Sequence, residues 1–225
     1  PSLVPSFIAT GYTILITLAI SLPLGIGAAI YLVEYAKPGS KVVKVLRTFV
    51  DTLSGVPSIV FGLFGNLLFV SAFGYSVWAG SFTMVLVVLP TIIRSTEESL
   101  LAVPVSLREA SYGLGASKVR TIFKVVLPSA FPGIATAAIL AMGRIIGESA
   151  ALIYTSGMLI TSAGAAANPG NMAPTLTVFL YMCWAEPTNY LGYDQAYATA
   201  VVLLILTALL NLCVYLIQRH VKKKR

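Results

Sequence analysis

Arg94, Arg144 and Glu148 are charged residues standing inside otherwise apolar runs of this 225-residue chain. A guanidinium offers a planar fork of donors that matches a tetrahedral oxyanion, and it stays charged at physiological pH. At the centre of a bilayer such a charge costs about 2.5–3.5 kcal/mol on the insertion scale, so its presence there marks a candidate substrate pathway. Glu148 follows Arg144 by four residues on one helical face, where an ion pair can form and temper the hold on an anion. A conducting site must release its ion as well as bind it. Two plainer readings stay open. Arg94 could snorkel to the headgroups beside Glu97 and Glu98, and Arg144 with Glu148 could be a buried pair that only fixes packing.

No other chemistry is assembled along the chain. The sole histidine, His220, sits in a basic tail, so no serine–histidine pair lies within an apolar run. Asp51 and Asp194 fall at opposite span edges, which excludes a membrane-embedded aspartate dyad. Cys183 and Cys213 are far apart, define neither a disulfide nor a metal site, and read as packing residues. The run Gly113–Lys118 lacks the G-x-x-x-x-G-K-[ST] spacing of an ATP-binding loop. The chain is therefore expected to be no enzyme, to carry no cofactor or metal, and to draw its energy from a partner.

Five expected membrane spans position these residues: about Ile8–Val33, Leu53–Phe73, Ser81–Leu101, Phe131–Tyr154 and Ala196–Ile217. Each approaches the roughly 20 residues a helix needs to cross the hydrocarbon. Apolar residues make up 57% of the chain and charged ones 10%, against about 25% charged in soluble domains. Lipid must be the outer solvent of what reads as one helical membrane unit. Gly55, Pro57, Gly62 and Gly65 interrupt the second span. Of the fifteen lysines and arginines, all but Arg94 and Arg144 fall in three segments, 37–47, 108–124 and 219–225. The connections 74–80 and 155–195 contain none. By the positive-inside rule the three basic segments and the C-terminus face the cytoplasm, and the N-terminus faces outward. The net charge of +7 is thus topology rather than a nucleic-acid footprint. An outward start at Pro1 leads to the expectation of a sixth helix ahead of it. Thr175–Trp184, short for a span, is expected to be interfacial or re-entrant, with Trp184 and Tyr190 at headgroup level.

The connection 103–128 is the most informative. Ser106 with Glu109 three residues on reads as a capping box. Gly113 and Gly115 break that helix, and a second short helix, Ala116–Val126, is expected to end at Pro128. Two short helices with small residues at their elbow make a knob suited to another protein's groove.

Glu109-Ala110-Ser111, Gly115 and Val125-x-Leu127-Pro128 keep every spacing of the EAA motif: E-A-A, three residues, G, nine residues, I-x-L-P. Ser111 replaces the second alanine and Val125 the isoleucine. From about Thr10 to Leu216 the chain resembles ABC-importer permeases of the binding-protein-dependent, MetI-like family. The resemblance implies an all-α, polytopic helical bundle of the type I ABC importer class. It implies a permease domain over 6–217, a coupling loop at about 103–128 and a basic cytoplasmic tail at 218–225. It further implies that two cytoplasmic ATPase subunits, which bind the ATP, dock on Glu109, Ala110, Ser111, Gly115, Leu127 and Pro128. A second, similar permease and an external binding protein would complete a complex in a bacterial or archaeal plasma (inner) membrane. The stretches Leu89–Glu98, Gly143–Ala150 and Asn171–Pro174 resemble the permeases of phosphate-specific (Pst) importers, their A-type subunits more than their C-type. On that resemblance Arg94 and Arg144 line the passage of inorganic phosphate. The alternatives are a permease for sulfate, molybdate, phosphonate or another small solute, and a membrane subunit that scaffolds without conducting.

Overall fold

In the computed structural model residues 3–37, 39–185 and 192–223 are described, and all regular structure among them is helical. Tyr190, Lys224 and Arg225, each given a place by the sequence, lie outside the described residues. The elements run α1 (Val4–Tyr35), α2 (Lys41–Ser54), α3 (Ser58–Phe73), α4 (Val77–Leu101), α5 (Val105–Gly113), α6 (Lys118–Gly147), α7 (Leu176–Ala185) and α8 (Tyr193–Lys223). Single turns occur at Ala150–Ile153 and Ala163–Ala166. Helices α1, α4, α6 and α8 are each long and apolar enough to cross a membrane. With 32 residues, α1 measures about 48 Å at 1.5 Å per residue, more than the roughly 30 Å of hydrocarbon.

Lipid as outer solvent inverts the usual amphipathic pattern in α1. Ser6, Thr10, Thr13, Thr17 and Ser21 are buried there beside Ala9, Leu18, Ala29 and Leu32, whereas Phe7, Leu15 and Leu24 are exposed. Each threonine hydroxyl finds a backbone acceptor: Thr10 donates to the Ser6 carbonyl at 2.7 Å, Thr13 to that of Ala9 at 2.8 Å and Thr17 to that of Ser81 at 3.2 Å. Thr10 Oγ1 also accepts from the Leu176 amide at 3.0 Å, which ties α1 to the start of α7. Small hydroxyl residues at helix contacts let backbones approach closely where lipid supplies no hydrophobic drive.

The described residues form two compact units where composition alone suggests one. The first draws on Pro1–Ile20, Val56–Val88 and Met142–Leu212, the second on Ser21–Gly55, Leu89–Ala141 and Cys213–Arg225. Val77, Met84, Leu152, Leu176 and Phe179 are buried in the first. Ala29, Leu100, Val103, Val126, Ala130 and Ile134 form one core cluster in the second. Every described lysine and arginine except Arg144 falls in the second unit. The basic segments, far apart in sequence, are thus gathered into one body.

The second expected span, Leu53–Phe73, starts later than composition suggests. Leu53 and Ser54 close α2, and α3 begins only after Pro57. Proline presets a helical φ and has no amide to leave unsatisfied, so it opens α3 rather than lying within it. At roughly 24 Å, α3 is a short segment. The fourth span is displaced the other way, from the expected Phe131–Tyr154 to Lys118–Gly147. Pro128 does not end a short helix there, because the preceding turn, Ile122–Val126, is π-helical, and the Leu127 amide donates to the Ile122 carbonyl. That wider turn accommodates the proline ring, whose clash with the carbonyl four residues back would otherwise kink the helix.

Helix α7 lies one residue further along than the expected Thr175–Trp184 stretch, and Leu176, Val178, Phe179, Met182 and Cys183 are buried. Such burial fits a re-entrant segment and not a helix lying among headgroups. Trp184 stacks edge-on against Tyr193 at 5.3 Å between ring centroids. Cys183 packs in the core as expected; Cys213 is exposed and does not.

Helix α3 meets the turn Ala150–Ile153 through Gly62. A Cβ there would lie 2.8 Å from the Ala151 Cα and 3.1 Å from its carbonyl oxygen. Backbone atoms cannot rotate away, so Gly62→Leu is expected to cost about 1–3 kcal/mol as overpacking. The purified protein should melt about 2–12 °C lower. An unchanged melting curve would show that this contact does not support the fold.

Candidate functional site

The charged residues predicted within spans fall in different units: Arg94 in the second, Arg144 and Glu148 in the first. Arg94 rides on α4, one turn after Pro90, which leaves the helix unbroken. Its Nη1 donates to Asp51 Oδ1 at 2.9 Å, and its Nε lies 3.5 Å from Glu98 Oε1. Beside it Arg47 Nη2 meets Glu97 Oε1 at 2.5 Å. These five residues line a cavity of about 210 Å³. Two guanidinium groups face three carboxylates, so Arg94 is an engaged cation in this conformation. Glu98 was legible as its partner at i,i+4. Asp51, on the helix that ends at Ser54, was not.

Arg144 lies on α6 with an exposed side chain. Among the described residues no salt bridge joins it to Glu148, contrary to the i,i+4 expectation. The helix ends at Gly147, so Glu148 leaves the helical face that the pairing needs. Glu148 Oε1 instead accepts from the Ala151 amide at 3.2 Å, capping the turn Ala150–Ile153, and its carbonyl accepts from Thr177 Oγ1 at 2.9 Å. A Cβ on Gly143 or Gly147 would meet nothing within 4 Å. The small-residue face beside Arg144 is therefore open in this chain.

Helix α5 holds the motif of the 103–128 connection. The predicted capping box is not formed. Pro104, at φ −55°, stands at the N-cap and no side chain caps the helix. The proline starts the helix early enough that Ser106 is already inside its first turn. The other end is as predicted: Gly115 adopts φ +81°. The Gly115 amide donates to the Tyr112 carbonyl at 2.9 Å and the Ala116 amide to the Ser111 carbonyl at 3.1 Å. This 5→2 and 6→1 pair is a Schellman cap, which requires a left-handed residue at the Gly115 position. The knob is consequently one short helix and the leading turns of α6, rather than two short helices.

The motif residues divide by direction. Glu109, Ala110, Gly115 and Pro128 are exposed, and the neighbouring Leu114 is 89% exposed. Ser111 is buried, its Oγ 2.8 Å from Thr121 Oγ1. Leu127 packs against the core cluster of the second unit. Ser111 and Leu127 thus position the knob, while the exposed set offers a surface with an unpaired leucine at its tip.

Over residues 21–225 the sequence matches the family described as binding-protein-dependent transport system inner membrane component. The probable ABC transporter permease protein YqgI of Bacillus subtilis (strain 168) is 44% identical over 149 residues, 65% of this chain and 50% of that protein. The phosphate transport system permease protein PstA of Mycobacterium leprae (strain TN) is 41% identical over 194 residues, 85% of this chain and 62% of that protein. PstA 1 of Mycobacterium tuberculosis (strain ATCC 25618 / H37Rv) is 36% identical over 208 residues, 92% of this chain and 66% of that protein. The chain thus spans between about half and two thirds of the length of these curated relatives. A chain of the MetNI methionine ABC transporter in an inward-facing conformation superposes with TM-score 0.68 at 22% identity, covering 96% of this chain and 93% of that one. An amino acid ABC transporter crystallised with histidines gives TM-score 0.64 at 16% identity, covering 96% of this chain and 92% of that one. At such identities the likeness establishes the fold alone, and it is the all-α, MetI-like bundle that the sequence implies.

Proposed function

The chain belongs to the family of binding-protein-dependent transport system inner membrane components, and on that premise we propose that it is a permease subunit of an ATP-driven phosphate importer. The observation that carries this reading is the similarity of 85% and 92% of the chain to proteins named as phosphate transport permeases, combined with arginines at 94 and 144. In this proposal 6–217 is the permease domain, and a second, similar permease completes the pathway. An external phosphate-binding protein delivers the anion to the outer face. Two cytoplasmic ATPase subunits, which bind the ATP, dock on α5 and the start of α6. The complex sits in a bacterial or archaeal plasma membrane with the C-terminus cytoplasmic.

Arg144 and Arg94 bind the phosphate in turn. Arg94 is held by Asp51 and Glu98 in an exposed cluster, its side chain 61% accessible, and such ion pairs are worth about 0–1 kcal/mol. Charge-assisted bonds from a guanidinium to phosphate, about 1.5–3 kcal/mol each, displace them. When the anion leaves, the carboxylates reoccupy the guanidinium and so promote release. Glu148, held off the helix on the Ala151 amide, adds negative charge that keeps binding weak. ATP-driven closure of the ATPases moves the two docking loops and switches the spans between outward- and inward-facing states.

Tetrahedral oxyanions share the geometry that a guanidinium fork reads, so substrate identity needs a direct measurement. Vesicles containing the full complex should accumulate labelled phosphate in preference to labelled sulfate. Preferential uptake of sulfate, molybdate or a phosphonate would replace phosphate as the substrate; no uptake of any oxyanion would remove the transport reading.

A further inference from the structure

Arg108 precedes the motif glutamate and is absent from every role assigned above, yet it is the most fully bonded cation among the described residues. Its Nε and Nη2 donate to Glu34 Oε1 at 3.1 and 3.0 Å, its Nη1 to the Val103 carbonyl at 2.6 Å, and its Nη2 also to the Leu100 carbonyl at 2.9 Å. The two side chains are 15% and 7% exposed, against about half or more for Arg47, Arg94, Asp51 and Glu98. Leu100 lies in the last turn of α4 and Val103 in the turn after it, where the Leu100 carbonyl also accepts from the Val103 amide at 3.3 Å. Glu34 stands on the π-helical last turn of α1, Tyr31–Tyr35. One guanidinium therefore joins three pieces of chain: the end of α1, the end of α4 and the motif helix α5. Beneath it Ala29, Leu100, Val103 and Val126 share one buried cluster. A second link runs parallel, with Lys118 Nζ 4.9 Å above the Tyr35 ring.

Chain connectivity explains why α4 and α6 follow any movement of α5, since both flank it directly. Nothing in the connectivity ties α1 to α5, because α2, α3 and α4 intervene. We infer that Glu34 and Arg108 form a transmission clamp that makes the Tyr35 end of α1 move with the docking helix, so that ATPase motion reaches α1 directly. The clamp rests on the reading of α5 as the ATPase-docking helix. Arg108 is a positioning residue: it acts through α1 and touches neither phosphate nor nucleotide.

The full complex in proteoliposomes tests this by two readings on each variant, ATP hydrolysed and phosphate accumulated. Glu34→Ala should retain the bound ATPase and its basal hydrolysis, while phosphate carried per ATP falls about tenfold, within the range by which residues on coupling networks act. Glu34→Gln keeps an oxygen that can accept from the guanidinium and should recover part of the ratio. A residue important only for folding would lower both readings together, leaving their ratio unchanged. A wild-type ratio in Glu34→Ala overturns the clamp. If Glu34→Ala fails to hold the ATPase, Glu34→Gln decides by the same ratio: a fall supports the clamp and a wild-type value overturns it. Gly115→Val, run alongside, reports on the docking reading separately. If that variant detaches the ATPase while Glu34→Ala stays fully coupled, the clamp alone is wrong. If Gly115→Val leaves docking and transport intact, the docking reading and the clamp that rests on it fall together.

Discussion

Gly115→Val is expected to release the ATPase subunits from the purified complex and to reduce phosphate uptake about 5–30-fold, whereas Gly115→Asn keeps most of both. The cause is backbone conformation, not space: Gly115 sits at φ +81°, yet a Cβ built on it would meet nothing within 4 Å. An L-residue in that left-handed region costs about 1–2 kcal/mol, and more when β-branched, while asparagine tolerates it. That energy exceeds what one cap bond returns, so valine should move out of the left-handed region. The bonds from the Gly115 and Ala116 amides are then lost, and Leu114 no longer projects at the angle the cap sets. A shift of 1–2 kcal/mol in docking corresponds to the stated factor of about 5–30. Co-purification and uptake at wild-type levels in Gly115→Val would refute the docking role. Equal losses in the valine and asparagine variants would move the cause from the backbone to bulk at the interface.

Arg144→Gln should abolish phosphate uptake, by at least about 100-fold, and leave the complex assembled. A bidentate guanidinium gives phosphate two charge-assisted bonds of about 1.5–3 kcal/mol each, and glutamine of similar size supplies at most one neutral donor. Assembly is expected to survive because Arg144 is exposed and joins no ion pair among the described residues. Its charge is then compensated by the pathway, since an isolated guanidinium in hydrocarbon is costly. Arg144→Lys, which keeps the charge and loses the fork, should fall between the two. Uptake by Arg144→Gln at the wild-type rate would sink the assignment of Arg144 to the pathway. Loss of the partner permease in Arg144→Gln would show instead that the side chain is an assembly contact.

The motif loop shows how far local rules reach. Glycine at 115 was readable as a helix stop because only left-handed φ, a property of one residue, was at issue. The capping box at Ser106 was read from an equally good local pattern and did not form, since Pro104 two residues earlier starts the helix first. At Pro128 the local rule predicted a break. The π turn before it, Ile122–Val126, removed the clash on which that rule depends.

Membrane residence, the segregation of basic residues into three segments and the motif spacing were all determined by sequence alone. Each is a sum or a spacing along one dimension, and lipid and charge act on it wherever the helices pack. Which cations are free was decided only by the tertiary structure. Arg94 is engaged by Asp51, 43 positions away, and Arg108 by Glu34, 74 positions away. Glu148 leaves Arg144 because the helix stops at Gly147. Ion pairing depends on which helices touch and where each one ends, and those are settled by packing, caps and π turns that no run of residue types records.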